Sequence, residues 1–298
     1  MKNKFHLAQI ETKDNLSHQG IYFKPKKRGQ CAILWIHGLM SAFYRNLYLW
    51  ETLAQSCEKY GFGFAAFNNR GHDIVTGIKK INRHKKSGHS YTLQGASTEK
   101  FEDCIYDIEA GIKFLLAQKF NQIILVGHST GANKICYYAA RKPHAKVAGI
   151  VLAGPASDRL MPPCSLQKLQ KTLNVMRRLV KQRKGDQLIT NHLFFPITPK
   201  RFISLYQPHS KEDTFDYGDL KPQMKDYSKI KLPLLVLFGE NDEFLDRSIQ
   251  QVVATFDHYA RSKFYTSAII PKATHGFNQC EQQLVNVLTK WIKQNLGN

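Results

Sequence analysis

The chain has 298 residues, 43% of them hydrophobic, which is enough for a large buried core and excludes a disordered or low-complexity protein. Its net charge of +20 draws in anionic partners, but no nucleic-acid-binding module accompanies it, so no nucleic acid is expected as a main ligand. Six cysteines without a Cys-x-x-Cys pair, and no apolar run that could span a bilayer, exclude a disulfide framework and a membrane-spanning protein; the expectation is a cytoplasmic protein with free thiols.

Residues up to Pro25 read as an antiparallel hairpin with Ser17 to Gly20 near its turn. Cys31-Ala32-Ile33-Leu34-Trp35-Ile36 is a continuous apolar run, the mark of a strand buried on both faces. It ends in His37-Gly38-Leu39-Met40, which by itself reads as a strand-ending turn with a hydrogen-bonded histidine. A helix is predicted over 48–60 and a strand at Phe64-Ala65-Ala66-Phe67. That strand leads into Asn68-Asn69-Arg70-Gly71-His72-Asp73, a polar turn held by a buried arginine. Basic residues cluster at 24–28, 79–86 and 168–184, either as solvated faces or as a draw for acidic lipid surfaces and charged substrates. A further helix is predicted over 101–118.

Ile123-Ile124-Leu125-Val126 reads as another buried strand and runs into Gly127-His128-Ser129-Thr130-Gly131, ahead of a helix over 132–142. A serine on a sharp strand-to-helix turn has its hydroxyl thrust out above the sheet, and flanking glycines let strand and helix come that close. The Thr130 N–H sits at a helix N-terminus, where it can face a developing oxyanion. Gly149 to Gly154 is the next strand. It leads into Pro155-Ala156-Ser157-Asp158-Arg159, where Ser157-Asp158 also reads as a helix cap.

Residues 160–228 break the strand–helix alternation. They hold a basic helix over 166–184 and an irregular run with Pro196, Pro199, Pro208 and Pro222, read here as a lid over Ser129. Leu193, Phe194, Phe195 and Phe202 either line an acyl pocket or pack the lid onto the body. The strand Leu234 to Phe238 then runs into Gly239-Glu240-Asn241-Asp242-Glu243, a source of an acid, with Glu240, Glu243 and Asp246 also nearby. Asp246 reads equally as the N-cap of a helix over 248–256. A short strand, Ala268-Ile269-Ile270, precedes a loop holding His275, the candidate base, and a helix closes the chain over 280–296.

Serine, acid and histidine in this order, with the elbow at Ser129, resemble the α/β-hydrolase superfamily over nearly the whole chain. The resemblance implies one α/β domain over 1–298, with a mostly parallel sheet, helices on both faces and 160–228 inserted as a cap. It also implies Asp242 as the acid, by its Gly-x-x-Asp placement, and the Leu39 N–H as a second oxyanion donor beside Thr130. The Arg70-Gly71-His72 loop is similar to that of many lipases and esterases. The elbow together with Ser157-Asp158-Arg159 resembles a branch that includes siderophore-ester hydrolases.

The implied chemistry is cleavage of a carboxylic ester through an acyl-enzyme on Ser129, with His275 as base, Asp242 orienting it, and no metal or organic cofactor. His72 and His128 are expected to support rather than react. The expected partner is a small-molecule ester, to which the basic charge adds an anionic character and peripheral contact with an acidic membrane surface. Two other classes use the same residues: an acyltransferase with the same triad, and a non-catalytic binding protein on the hydrolase fold.

Overall fold

The computed structural model describes residues 4–141, 143–160, 162 and 164–296. Residues 142, 161 and 163, and 1–3 and 297–298 at the ends of the expected 1–298 domain, lie outside the described residues; the first three fall in the expected helix 132–142 and segment 160–228. The chain opens with β1 (Phe5–Glu11) and β2 (Ser17–Phe23), paired antiparallel. Their turn is made by residues 12–16, not by Ser17 to Gly20. The Thr12 hydroxyl accepts from the Leu16 N–H at 2.8 Å and Asn15 takes a positive φ of 69°, so the turn closes before Ser17, which already pairs with Glu11.

The body then alternates: β3 (Cys31–Ile36), α1 (Leu47–Tyr60), β4 (Gly63–Phe67), β5 (Thr76–Ile81), β6 (His89–Gln94), α2 (Cys104–Ala117), β7 (Gln122–His128), α3 (Thr130–Ala139) and β8 (Val147–Ala153). After it come α4 (Leu166–Lys181), α5 (Pro199–Tyr206), β9 (Leu234–Gly239), α6 (Ile249–Tyr259), β10 (Tyr265–Ile270) and α7 (Glu281–Leu296). Eight strands form one sheet in the order β1-β2-β4-β3-β7-β8-β9-β10, and β5 and β6 form a separate antiparallel pair. From β4 to β10 every neighbouring pair is parallel.

The period of two along a strand explains why the central runs are apolar throughout. Ala32, Leu34 and Ile36 face one core, shared with side chains of α2, α3 and α6. Cys31, Ile33 and Trp35 face the other, shared with α1 and α7. Helix starts follow side-chain capping. Ser165 and Thr198 accept from the N–H three residues on, and Pro199 sits at the first helical position of α5. The stretch expected to be irregular therefore contains a helix, because Thr198-Pro199 starts one rather than breaking one. Two further expectations are corrected. Ser248, not Asp246, caps α6, since its side chain reaches the Gln251 N–H while Asp246 pairs with Arg247. Ser157-Asp158 caps no helix, the next one starting only after Ser165.

The segment between β8 and β9 builds its own apolar cluster from α4 and α5. Leu169, Leu173, Met176, Phe202 and Leu205 form its centre, and Leu39 and Met40 from the loop after β3 pack against it. The parallel strands all point one way, so the loops after β3, β7, β8, β9 and β10 meet at one edge of the sheet, where open α/β sheets bind ligands.

Candidate active site

Ser129 leaves β7 and enters α3 with φ 57° and ψ −128°, a backbone conformation that non-glycine residues rarely hold. Its neighbours make the bend fit. A Cβ on Gly127 would lie 2.3 Å from the Gly131 carbonyl oxygen, and one on Gly131 would lie 2.2 Å from that of Ile36. Only glycine allows α3 to pack so closely on β7 and β3. The Ser129 N–H donates to the Ala153 carbonyl at 3.0 Å, tying the elbow to β8.

Asp242 and His275 come from the neighbouring loops after β9 and β10. His275 Nδ1 lies 2.9 Å from Asp242 Oδ2 and 3.0 Å from Oδ1. A carboxylate only accepts, so Nδ1 carries the proton and Nε2 is left with a lone pair. The Asp242 side chain is fully buried and also accepts the Phe244 N–H at 3.0 Å. Two of the competitors, Glu240 and Glu243, help to stitch the two loops together, while Asp246 pairs with Arg247. Glu240 accepts the Lys272 N–H at 2.8 Å, Glu243 accepts the His275 N–H at 2.9 Å, and Asn241 N–H donates to the Ala273 carbonyl at 2.8 Å. His128 Nε2 lies 2.8 Å from the His275 carbonyl oxygen and so donates to it. Burial pushes the His128 pKa down to about 4, which keeps it neutral in that supporting place.

The loop after β3 passes directly over the serine. A Cβ on Gly38 would lie 2.7 Å from Ser129 Cβ and 3.2 Å from its Oγ, which places Leu39 beside the elbow. His37 anchors this loop: its Nδ1 donates to the Gly38 carbonyl at 2.9 Å, and its Nε2 accepts the Asn69 N–H at 3.1 Å. Burial drives its pKa down to about 3, matching a neutral ring that both gives and takes a hydrogen bond. Arg70 is the buried arginine expected after β4. It holds Asp107 of α2 through Nη2–Oδ1 at 2.9 Å and Asp14 through Nη1–Oδ2 at 3.1 Å.

Ser129 and His275 open on one cavity of about 530 Å³, walled by Leu39, Met40, Phe194, Phe195, Tyr206 and Phe244 among others. Of the expected acyl-pocket residues, Phe194 and Phe195 line it, whereas Phe202 and Leu193 pack within the α4–α5 cluster. No Lys or Arg is among its described lining residues, so the cavity wall holds no strong cation for an anionic ester. On α4, Arg177 bonds Gln207 at 3.2 Å and Asn174 at 3.0 Å.

Two groups escaped the sequence reading. The first is a wholly buried charge cluster. Lys134 on α3 holds Glu99 at 2.8 Å; Glu99 holds Arg201 of α5 at 2.8 Å; and Arg201 closes on Glu212. Arg201 Nε also donates to the Ala96 carbonyl at 3.0 Å, and the Thr198 N–H to that of Ser97 at 2.9 Å. The α4–α5 segment is thus bolted to the body beside the site. Lys134, in a helix otherwise of small and apolar residues, was the one signal of it in the sequence. The second is the place of Asp158, which the sequence marked only as a cap and as part of the Ser157-Asp158-Arg159 motif: it lines the same cavity as Ser129.

The sheet order and the elbow define the class: an α/β-hydrolase fold with the residue order of that class along the chain. The chain belongs to the family described as "Protein of unknown function (DUF1749)", whose model matches residues 86–296. It is 23% identical over 190 residues to the bifunctional esterase/perhydrolase DCH of Acinetobacter calcoaceticus, covering 55% of this chain and 64% of that protein, so it spans less than two thirds of that relative. Among solved structures it resembles the siderophore hydrolase EstB from Aspergillus fumigatus, with a TM-score of 0.68 and 17% identity over 100% of this chain and 99% of the other. It also resembles a soluble variant of monoglyceride lipase from Saccharomyces cerevisiae, solved with a substrate analog, with a TM-score of 0.65, 14% identity and coverages of 97% and 95%. At these identities the likeness to solved structures is one of fold. No described helix is long and apolar enough to cross a membrane.

Proposed function

We propose that the protein is a serine hydrolase that cleaves a carboxylic ester of a small molecule through an acyl-enzyme intermediate. The observation that carries this reading is the Asp242–His275 pair, 2.9 Å apart, opening on the same cavity as the strained Ser129. Esterases among the relatives and the fold neighbours support it.

In the proposed reaction Ser129 Oγ attacks the ester carbonyl carbon while His275 Nε2 takes its proton. Charge collects on the carbonyl oxygen, where the Thr130 and Leu39 N–H groups stabilise it. Asp242 keeps the proton on Nδ1 and offsets the charge of the imidazolium. His275 returns its proton to the leaving alcohol. Water, deprotonated by the same nitrogen, then attacks the acyl-enzyme, releasing the acid and restoring Ser129. The 160–228 segment is the cap over this site within one domain, and its Phe194 and Phe195 contact the substrate. Six free cysteines, five of them buried, support a reducing, cytoplasmic setting.

The test is direct. Wild-type protein should label with a fluorophosphonate probe and hydrolyse a short-chain p-nitrophenyl ester. Ser129→Ala should do neither while melting at nearly the same temperature. Activity retained in the purified Ser129→Ala protein would overturn the assignment.

A further inference from the structure

The cavity above Ser129 is mostly apolar, but two acidic side chains line it, Glu243 and Asp158. They are not equivalent. Glu243 already accepts the His275 N–H at 2.9 Å and so serves the loop it sits in. Asp158 is partly buried, and its carboxyl takes part in no ion pair among the described residues.

Its neighbours fix it there. Gly154, with φ 57°, turns the chain out of β8. Ser157 Oγ then donates to Asp213 at 3.4 Å, and Arg159 reaches Asp213 at 3.1 Å and Asp219 at 2.7 Å. Both flanking side chains bond into residues 213–219, and Ser157 and Asp158 line the cavity.

The charged and titratable groups facing Asp158 are Glu212, Arg201, His275 and Tyr206. Arg201 is committed to Glu99 and Glu212, and with Lys134 these four side chains sum to zero charge. They leave Asp158 without a counter-ion of its own. Burial and the Glu212 carboxylate push its carboxyl up to about 7. A carboxyl held in that condition gains most from a cation delivered by a ligand, because the cation replaces lost hydration where the dielectric is low. An anionic ester would meet repulsion in the same place.

From this geometry we infer that Asp158 is a specificity-determining residue, its carboxylate pairing with the ammonium group of esters that carry a protonated amine away from the scissile bond. The inference rests on the hydrolase reading above for its reaction, but not for the binding. A charge-assisted hydrogen bond of this kind corresponds to about tenfold to hundredfold in affinity.

Two substrate pairs test it, one for each side of the ester bond. The first is p-nitrophenyl 6-aminohexanoate against p-nitrophenyl heptanoate; the second is 6-aminohexyl butyrate against heptyl butyrate. The wild-type ratio of kcat/KM, amine over neutral, should be at least about tenfold in one pair, and should fall to near one in Asp158→Asn. Asp158→Ser replaces that variant if its melting curve shows it unfolded. A ratio cancels any general loss of activity. Independently of turnover, hexylamine should bind Ser129→Ala protein at least about tenfold tighter than hexanol by calorimetry, and lose that advantage in the Ser129→Ala, Asp158→Asn protein. Turnover of the neutral esters with no amine preference in either pair, or a preference that survives Asp158→Asn, overturns the role of Asp158 and leaves the hydrolase reading standing. If no ester is turned over, the hydrolase reading fails and the hexylamine measurement alone decides the role of Asp158.

Discussion

Ser129 is held at φ 57° and ψ −128°, and a non-glycine residue in such a region stores about 1–3 kcal/mol of strain. The strain is the cost of lifting a hydroxyl clear of the sheet, and it separates two substitutions that both remove the hydroxyl. Ser129→Ala keeps the Cβ and hence the strain, so its stability should stay near wild type. Ser129→Gly relieves the strain and should gain about 1 kcal/mol in urea unfolding, even after the added freedom of glycine in the unfolded chain. Both should be inactive. A Ser129→Gly protein less stable than wild type would show the elbow to be unstrained. Asp242 is tested through its neighbours. Asp242→Asn should lower kcat by about 10⁴, the loss known for a triad aspartate. Glu243→Gln should cost far less, since its amide oxygen still accepts the His275 N–H. Gly38→Ala should lower kcat about a hundredfold or more, since its Cβ would lie 2.7 Å from that of Ser129 and push the Leu39 N–H off its line.

At the scale of elements, Arg70 and Asp107 join the loop after β4 to α2 with both side chains 3% exposed. Removing the carboxylate leaves the buried guanidinium only the partly exposed Asp14 and Asp103, so Asp107→Ala should cost about 3 kcal/mol by urea unfolding. Arg70 and His18 hold this carboxyl far below the usual range, although burial alone would raise it. Its stabilisation is therefore complete above about pH 4 and lost as pH falls toward the folded value. Elements of this kind differ in how legible they are in sequence. The runs at 31–36, 123–126 and 234–238 were readable because strands buried on both faces have no polar positions. The β5–β6 pair was not, because Lys79 and Lys80 break the pattern of β5, and the apolar pair of β6, Tyr91 and Leu93, faces outward instead of into a core. Residues 196–208 carry three prolines, which break helices in their interior, whereas Thr198 and Pro199 open α5. Ser129 and His275 stood out as candidates because each follows a recognisable strand, whereas Asp242 was singled out from Glu240, Glu243 and Asp246 by the resemblance alone. Asp158 was visible as a residue but not as part of a cavity, since that depends on where Ser157 and Arg159 anchor in residues 213–219.

The whole molecule sets two charge patterns against each other: a surface that is strongly basic overall, and a site whose described lining holds two carboxylic acids and no Lys or Arg. Its interior also buries histidines as neutral rings, with consequences for pH. His37 and His128 are pushed down to about 3 and about 4, and His72 is lowered too, in each case chiefly by burial. The unfolded chain binds a proton on each near pH 6.5 while the folded one does not. Folding stability therefore falls as pH drops below about 6.5, by up to about 1.4 kcal/mol per pH unit for each ring. Asp158 works the other way. Its folded carboxyl holds a proton up to about 7, so its contribution is full at low pH and fades as pH rises toward that value, offsetting one histidine. Asp213, also raised chiefly by burial, acts in the same sense as Asp158, but the three histidines outnumber the two carboxyls, and net stability should decline from pH 6.5 to pH 4.5, above the range in which Asp107 begins to titrate. Urea midpoints taken every half unit should show this slope, and His37→Asn should reduce it by about 1.4 kcal/mol per pH unit whatever it does to stability at pH 7.5. An Asp158→Asn variant should steepen the slope by a similar amount. Stability that stays flat from pH 6.5 to pH 4.5 in the wild type, with neither variant changing the slope, would mean that these rings and this carboxyl titrate alike in the folded and unfolded chain.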